Sequence, residues 1–119
     1  MSTTITGDLH GTDTKDTYTT SKKPKKYNYR LRAWDGGHLR FKIEYYVPSL
    51  IGEIGGSGGW GTLEDRERID SGETIDGSFT VPEVKLSSTE TAEKTEVKFI
   101  FSRGVLTEGV NYELYYEYV

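Results

Sequence analysis

Tyr27-Asn-Tyr-Arg-Leu-Arg-Ala-Trp-Asp-Gly-Gly-His-Leu-Arg-Phe-Lys-Ile-Glu-Tyr-Tyr-Val47 decides the fold class. Tyr27, Tyr29, Leu31 and Ala33 alternate with Asn28, Arg30 and Arg32. After Asp35-Gly36-Gly37-His38, Leu39, Phe41, Ile43, Tyr45 and Val47 alternate with Arg40, Lys42 and Glu44. A period of two marks a strand with one buried and one wet face, because successive side chains point to opposite sides of a sheet. Glycine tolerates positive φ, so the tetrapeptide between the two runs reads as a tight turn. The stretch is expected to form one antiparallel hairpin, 27–34 with 39–47. Trp34, at the end of its first strand, is expected in the core or at its rim.

Downstream, Pro48 ends the second run, and Gly52-Glu-Ile-Gly-Gly-Ser-Gly-Gly-Trp-Gly61 follows, six of its ten residues glycine. Residues 63–69 are charged and read as a short helical turn or an edge strand. Phe79 and Val81 alternate with Ser78 and Thr80, and beyond Pro82 the apolar positions shift to Val84 and Leu86, which implies a bulge or bend. Residues 87–94 are polar. Val97, Phe99 and Phe101, then Val110, Tyr112, Leu114, Tyr116 and Tyr118, resume the alternation. Six or seven short strands without an amphipathic helix point to an all-β protein, an antiparallel β-sandwich of immunoglobulin or fibronectin type. A small β-barrel or a jelly roll is the alternative. The sandwich domain is expected over 27–119. Residues 1–26, rich in Thr, Asp, Lys and Gly, are expected as a polar N-terminal arm, either flexible or contributing an edge strand around Thr14–Thr20.

The chain has 119 residues, enough for one domain with a modest core. Only 34% of residues are hydrophobic, but nine Tyr, four Phe and two Trp supply large rings to bury. Without cysteine there is neither a disulfide nor a thiolate chemistry. Met1–Thr6 has no apolar signal core, and no run approaches the roughly 18 apolar residues of a membrane helix. The expected location is therefore cytoplasmic, with release by a non-classical route as the alternative. The net charge of −4 conceals a split: residues 1–46 carry nine basic and five acidic side chains, residues 47–119 six and fourteen. The split reads as segregated solvated faces, or as a dipole suited to head-to-tail self-association.

Little points to catalysis. His10 and His38 fall in the polar arm and in the expected turn, with no nucleophile at a recognised spacing. The carboxylates at 64–76 and 8–16 match no EF-hand, and Arg66 and Arg68 interleave the first group. No catalytic residue, metal or cofactor is expected, and the protein is read as non-enzymatic. Arg30, Arg32, Arg40 and Lys42 fall on the polar face of the expected hairpin, just after Lys22, Lys23, Lys25 and Lys26. Such a face suits phosphates, sulfated glycans or anionic lipid, so peripheral membrane contact is a candidate role. The overall acidic balance argues against nucleic acid. Trp60 either caps the open end of the sandwich or stands exposed to stack on a sugar ring, with Glu53, Ser57 and Thr62 as hydrogen-bonding neighbours. Tyr115 falls on the outer face of the last strand and is counted with the candidate ligand contacts.

Arg30-Leu31-Arg32-Ala33-Trp34-Asp35, followed by Leu39, Phe41 and Tyr45, resembles the N-terminal segment of the fungal immunomodulatory proteins. Phe79-Thr80-Val81-Pro82-Glu83-Val84 resembles a later strand of that family, and Trp60-Gly61 sits near its Trp-Gly pair. The resemblance spans about residues 30–86 and implies a fibronectin-type sandwich, dimerisation and lectin-like binding of cell-surface glycans. The leading functional reading is carbohydrate recognition through the Trp60 loop by a homodimer or higher homo-oligomer. A self-assembling structural subunit (capsid, tail or inclusion component) and a membrane-active or toxin-associated module are the alternatives.

Overall fold

Side-chain alternation forces every strand of a half-wet sheet to choose one apolar face, and the two sheets of this protein bury those faces against each other. The computed structural model describes residues 2–48, 58–104 and 108–119. Its strands are β1 (Ser2–Leu9), β2 (Lys15–Lys22), β3 (Lys26–Trp34), β4 (His38–Val47), β5 (Gly59–Asp70), β6 (Thr74–Thr80), β7 (Thr95–Ser102) and β8 (Val110–Tyr118). They form two four-stranded antiparallel sheets, in the order β1-β8-β3-β6 (sheet I) and β2-β7-β4-β5 (sheet II). The result is an open sandwich rather than a closed barrel. Every sequential connection passes from one sheet to the other except β4–β5. That order is the jelly roll, one of the alternatives the sequence leaves open, and it differs from the immunoglobulin and fibronectin order.

The expected hairpin is not formed. β3 pairs with β6 and β8, whereas β4 pairs with β5 and β7, so 27–34 and 39–47 face each other across the core. Asp35 (φ 87°) and Gly36 (φ 105°) turn the chain from sheet to sheet. The turn is tied to its neighbours: Gly37 N–H donates to Gly109 O at 3.0 Å, and Gly36 N–H to Ser71 Oγ at 2.8 Å. Alternation specifies which face of a strand is buried but not which strand lies beside it.

Residues 2–22 supply two full edge strands, β1 along β8 and β2 along β7, each in unbroken register over eight residues. An edge strand needs few apolar side chains, since its neighbour supplies the core, and that is why a Thr-, Asp- and Lys-rich segment suffices. Residues 63–69 belong to the long edge strand β5, whose pairing with β4 has two register shifts.

Rings fill the core. Phe101 of β7 stacks on Tyr112 of β8 at 4.1 Å between centroids, and Phe99 on Tyr116 at 5.0 Å, both pairs bridging the sheets. Phe41 stacks on Phe101 at 5.2 Å, and Tyr29 meets Phe41 across the core at 5.6 Å. Phenol oxygens seal the flanks. On one side Tyr112 donates to Asp16, with Tyr18 Oη at 3.1 Å. On the other, Tyr29 donates to Glu64 at 3.1 Å and accepts from Arg66 Nε at 3.2 Å. Three tyrosine rings also lie over glycines paired with them on the next strand: Tyr112 over Gly7, Tyr29 over Gly77 and Tyr45 over Gly61.

A β-carbon at Gly77 would stand 2.6 Å from the Tyr29 ring, so Gly77→Ala must displace a buried ring. The expected loss is about 1–3 kcal/mol in urea denaturation; an unchanged midpoint would refute the close packing. Burial also pushes the Tyr27, Tyr29 and Tyr112 phenols above the ordinary value of 10.0, reinforced at Tyr112 by its bond to Asp16. In the unfolded chain these phenols ionise at the ordinary value, so their contribution is complete below pH 10 and is lost as pH rises beyond it. Denaturation midpoints should therefore hold up to about pH 9 and fall above pH 10, less steeply in Tyr112→Phe; a flat profile to pH 11 would contradict this.

Candidate functional site

Strand β5 begins Gly59-Trp60-Gly61-Thr62, and its alternation sends Trp60 and Thr62 to the outer face of sheet II. Trp60 thus stands on a strand, not in a loop. Gly61 permits this, because a β-carbon there would lie 2.6 Å from the Tyr45 ring that fills its inner face. In register, Trp60 pairs with Tyr46 and Thr62 with Glu44. The Tyr46 ring centroid is 5.3 Å from that of Trp60, tilted by 58°. Lys98 of β7 places its ammonium 4.0 Å from the Trp60 centroid. The same ammonium lies 3.5 Å from Glu44, and Lys42 Nζ approaches that carboxylate at 3.3 Å. Trp60 remains 38% exposed. The site is an aromatic pair on a rigid sheet, bordered by a carboxylate held between two ammonium groups and by a threonine hydroxyl. Cation–π and ion-pair contacts fix the lysine that borders the ring.

Glu53 and Ser57 lie outside the described residues. Tyr115 is on the opposite side of the molecule: it is 38% exposed on the outer face of sheet I, donates to Glu117 at 3.0 Å and pairs in register with Arg30. It does not join Trp60. The four residues expected to form one basic face are divided as well. Arg30 and Arg32 project from sheet I, Arg40 and Lys42 from sheet II, because β3 and β4 belong to different sheets. Arg30 contacts Asp76 at 2.8 Å, Arg40 contacts Asp65 at 3.2 Å, and the Arg32 guanidinium lies 4.5 Å from the Trp34 centroid. Trp34 is half-buried at this outer face rather than inside the core.

Tyr46, Glu44 and Lys98 were not singled out from the sequence. The first two share the parity of Lys42 on β4, which could have placed them on one face. Lys98 could not be placed without knowing that β7 neighbours β4.

His10 Nε2 sits 2.6 Å from Asn111 Oδ1 and 3.3 Å from Asp35 Oδ2. Among the described residues, no three His, Asp or Glu side chains come together in a way that could hold a metal ion. No helix among them is long and apolar enough to cross a membrane.

No protein-family model matches this chain, and no curated protein matches it. Among solved structures it is similar to PliG of Aeromonas hydrophila, a periplasmic inhibitor of g-type lysozyme, with a TM-score of 0.48 and 15% identity over 98% of this chain and 84% of that one. It is also similar to a chain of the infectious bursal disease virus Gt strain, with a TM-score of 0.48 and 8% identity over 98% of this chain and 30% of that one. Neither identity is high enough to transfer a residue role.

Proposed function

We propose that this protein is a non-enzymatic recognition module that binds carbohydrate on the outer face of sheet II, with Trp60 as the stacking residue. The observation that carries the reading is an exposed tryptophan held on a strand beside a second ring, with polar groups arranged around both. Stacking against an indole matches the apolar face of a pyranose ring. Directional bonds from Thr62, Glu44 and Lys98 match its hydroxyls. Because the elements beneath are paired strands, the platform is formed before ligand arrives, which limits the entropy lost on binding. The partial resemblance to fungal immunomodulatory proteins around Trp60-Gly61 supports the same ligand class.

Trp60→Ala should abolish binding on a glycan array, while its circular dichroism and thermal midpoint stay close to those of the parent because the ring is exposed. An unchanged array signal from a folded Trp60→Ala protein would remove this reading.

A further inference from the structure

A second surface has a different chemistry. At the end of the sandwich where β2 finishes and β3 begins, a groove of about 380 Å³ is lined by Lys22, Lys23, Lys25 and Lys94 over Tyr116 and Tyr118. Its lysines come from three separate segments: the end of β2, the β2–β3 turn and the residue preceding β7. None of them forms an ion pair among the described residues. Arg30, Arg40, Lys42, Arg66, Arg68 and Lys98 each have a carboxylate partner, whereas Lys15, Lys26, Arg32 and Lys85, scattered elsewhere, have none among the described residues. Among the described residues, no carboxylate lines the groove.

Two of the ammonium groups are already positioned. Lys22 Nζ lies 5.0 Å from the Tyr116 centroid, and Lys25 Nζ lies 4.1 Å from that of Tyr118. Pro24 stiffens the turn between Lys23 and Lys25 by fixing its own φ. Tyr27 Oη donates to Lys23 O at 3.3 Å and anchors the same turn from the core side. An acidic protein that gathers unpaired lysines in one fixed groove has a local anion site against its overall charge.

We infer that the groove formed by Lys22, Lys23, Lys25 and Lys94 over Tyr116 and Tyr118 binds a sulfated oligosaccharide. Several spaced anions are needed to engage lysines drawn from three segments at once. Lys22 and Lys25 each cover a ring face of Tyr116 and Tyr118, which competes with the base stacking on which single-stranded nucleic-acid sites rely. Lysine is a compact point charge and the groove has no arginine fork, which suits dispersed sulfates better than bidentate capture of a single phosphate. The overall acidity works against a flat anionic membrane, which would meet the whole molecule rather than the groove. This inference does not depend on Trp60: the groove lies over the sandwich end, and Trp60 projects from the outer face of sheet II.

The test is binding of the full chain to a sulfated heparin-type oligosaccharide by calorimetry at low and physiological salt. Its desulfated counterpart, single-stranded DNA and phosphatidylserine vesicles serve as comparison arms. The parent protein should bind the sulfated ligand, lose affinity as salt rises and ignore the desulfated one. Lys22→Gln/Lys25→Gln should weaken binding about tenfold. Lys15→Gln/Arg40→Gln removes the same charge at the far end of sheet II and should leave affinity unchanged. No binding by the parent at low salt would overturn the proposal. So would equal loss in both double variants, or tighter binding to DNA or vesicles than to the sulfated ligand. Thermal melts check that each variant is folded; Lys15, Lys25 and Arg40 are exposed and Lys22 is half-buried.

Discussion

The structure rests on two ring stacks that bridge the sheets, Phe101 on Tyr112 and Phe99 on Tyr116, contributed by the central strands β7 and β8. Each sheet has four strands, and these two strands each pair with a neighbour on both sides. Each buried ring contributes about 1.5–3 kcal/mol through area, and a well-oriented pair adds about 0.5–1.5 kcal/mol. A chain with only 34% hydrophobic residues compensates for few aliphatic side chains by spending tyrosine on both core and flank. The tyrosine hydroxyls make this possible. Tyr112 and Tyr29 are buried, yet their oxygens reach the two open sides of the sandwich and close them on Asp16 and on Glu64 with Arg66.

Because the core is complete within the two sheets, the outer faces and the strand ends are free to carry chemistry. The crossing connections distribute it. Neighbours in sequence are sent to opposite faces, so Arg30 and Arg40 end on different sides although ten residues apart. Residues distant in sequence meet instead: Lys98 with Trp60, and Lys22 with Tyr116. Both proposed surfaces follow from this exchange. Each combines a tyrosine or tryptophan ring with a lysine brought from another strand.

Much of the core was legible in the sequence. Tyr27, Tyr29, Leu31, Ala33, Leu39, Phe41 and Ile43 all carry the alternation and all are buried. The pairing of their strands was not legible, because a Gly-Gly turn serves a hairpin and a sheet-to-sheet crossing equally well. β1 and β2 were obscured by composition: Leu9 is their one fully buried side chain, Ile5 packs against the core, and the remaining positions are mostly threonine, serine, aspartate, glycine and lysine. Trp60 was read into a loop because glycines flank it. The glycine at 61 answers to the Tyr45 ring packed beneath it, a cross-strand requirement that no local pattern displays. Of the candidate site, Trp60 and Thr62 could be read, while Tyr46, Glu44 and Lys98 depended on strand order.

Strand order is thus the claim on which both surfaces depend, and backbone NOEs from an isotope-labelled sample test it most directly. The account predicts cross-strand contacts pairing residues 2–9 with 110–117 and residues 15–22 with 95–102, and no ladder between 27–34 and 39–47. A continuous ladder joining 27–34 to 39–47, with residues 2–22 showing no cross-strand contacts, would contradict it.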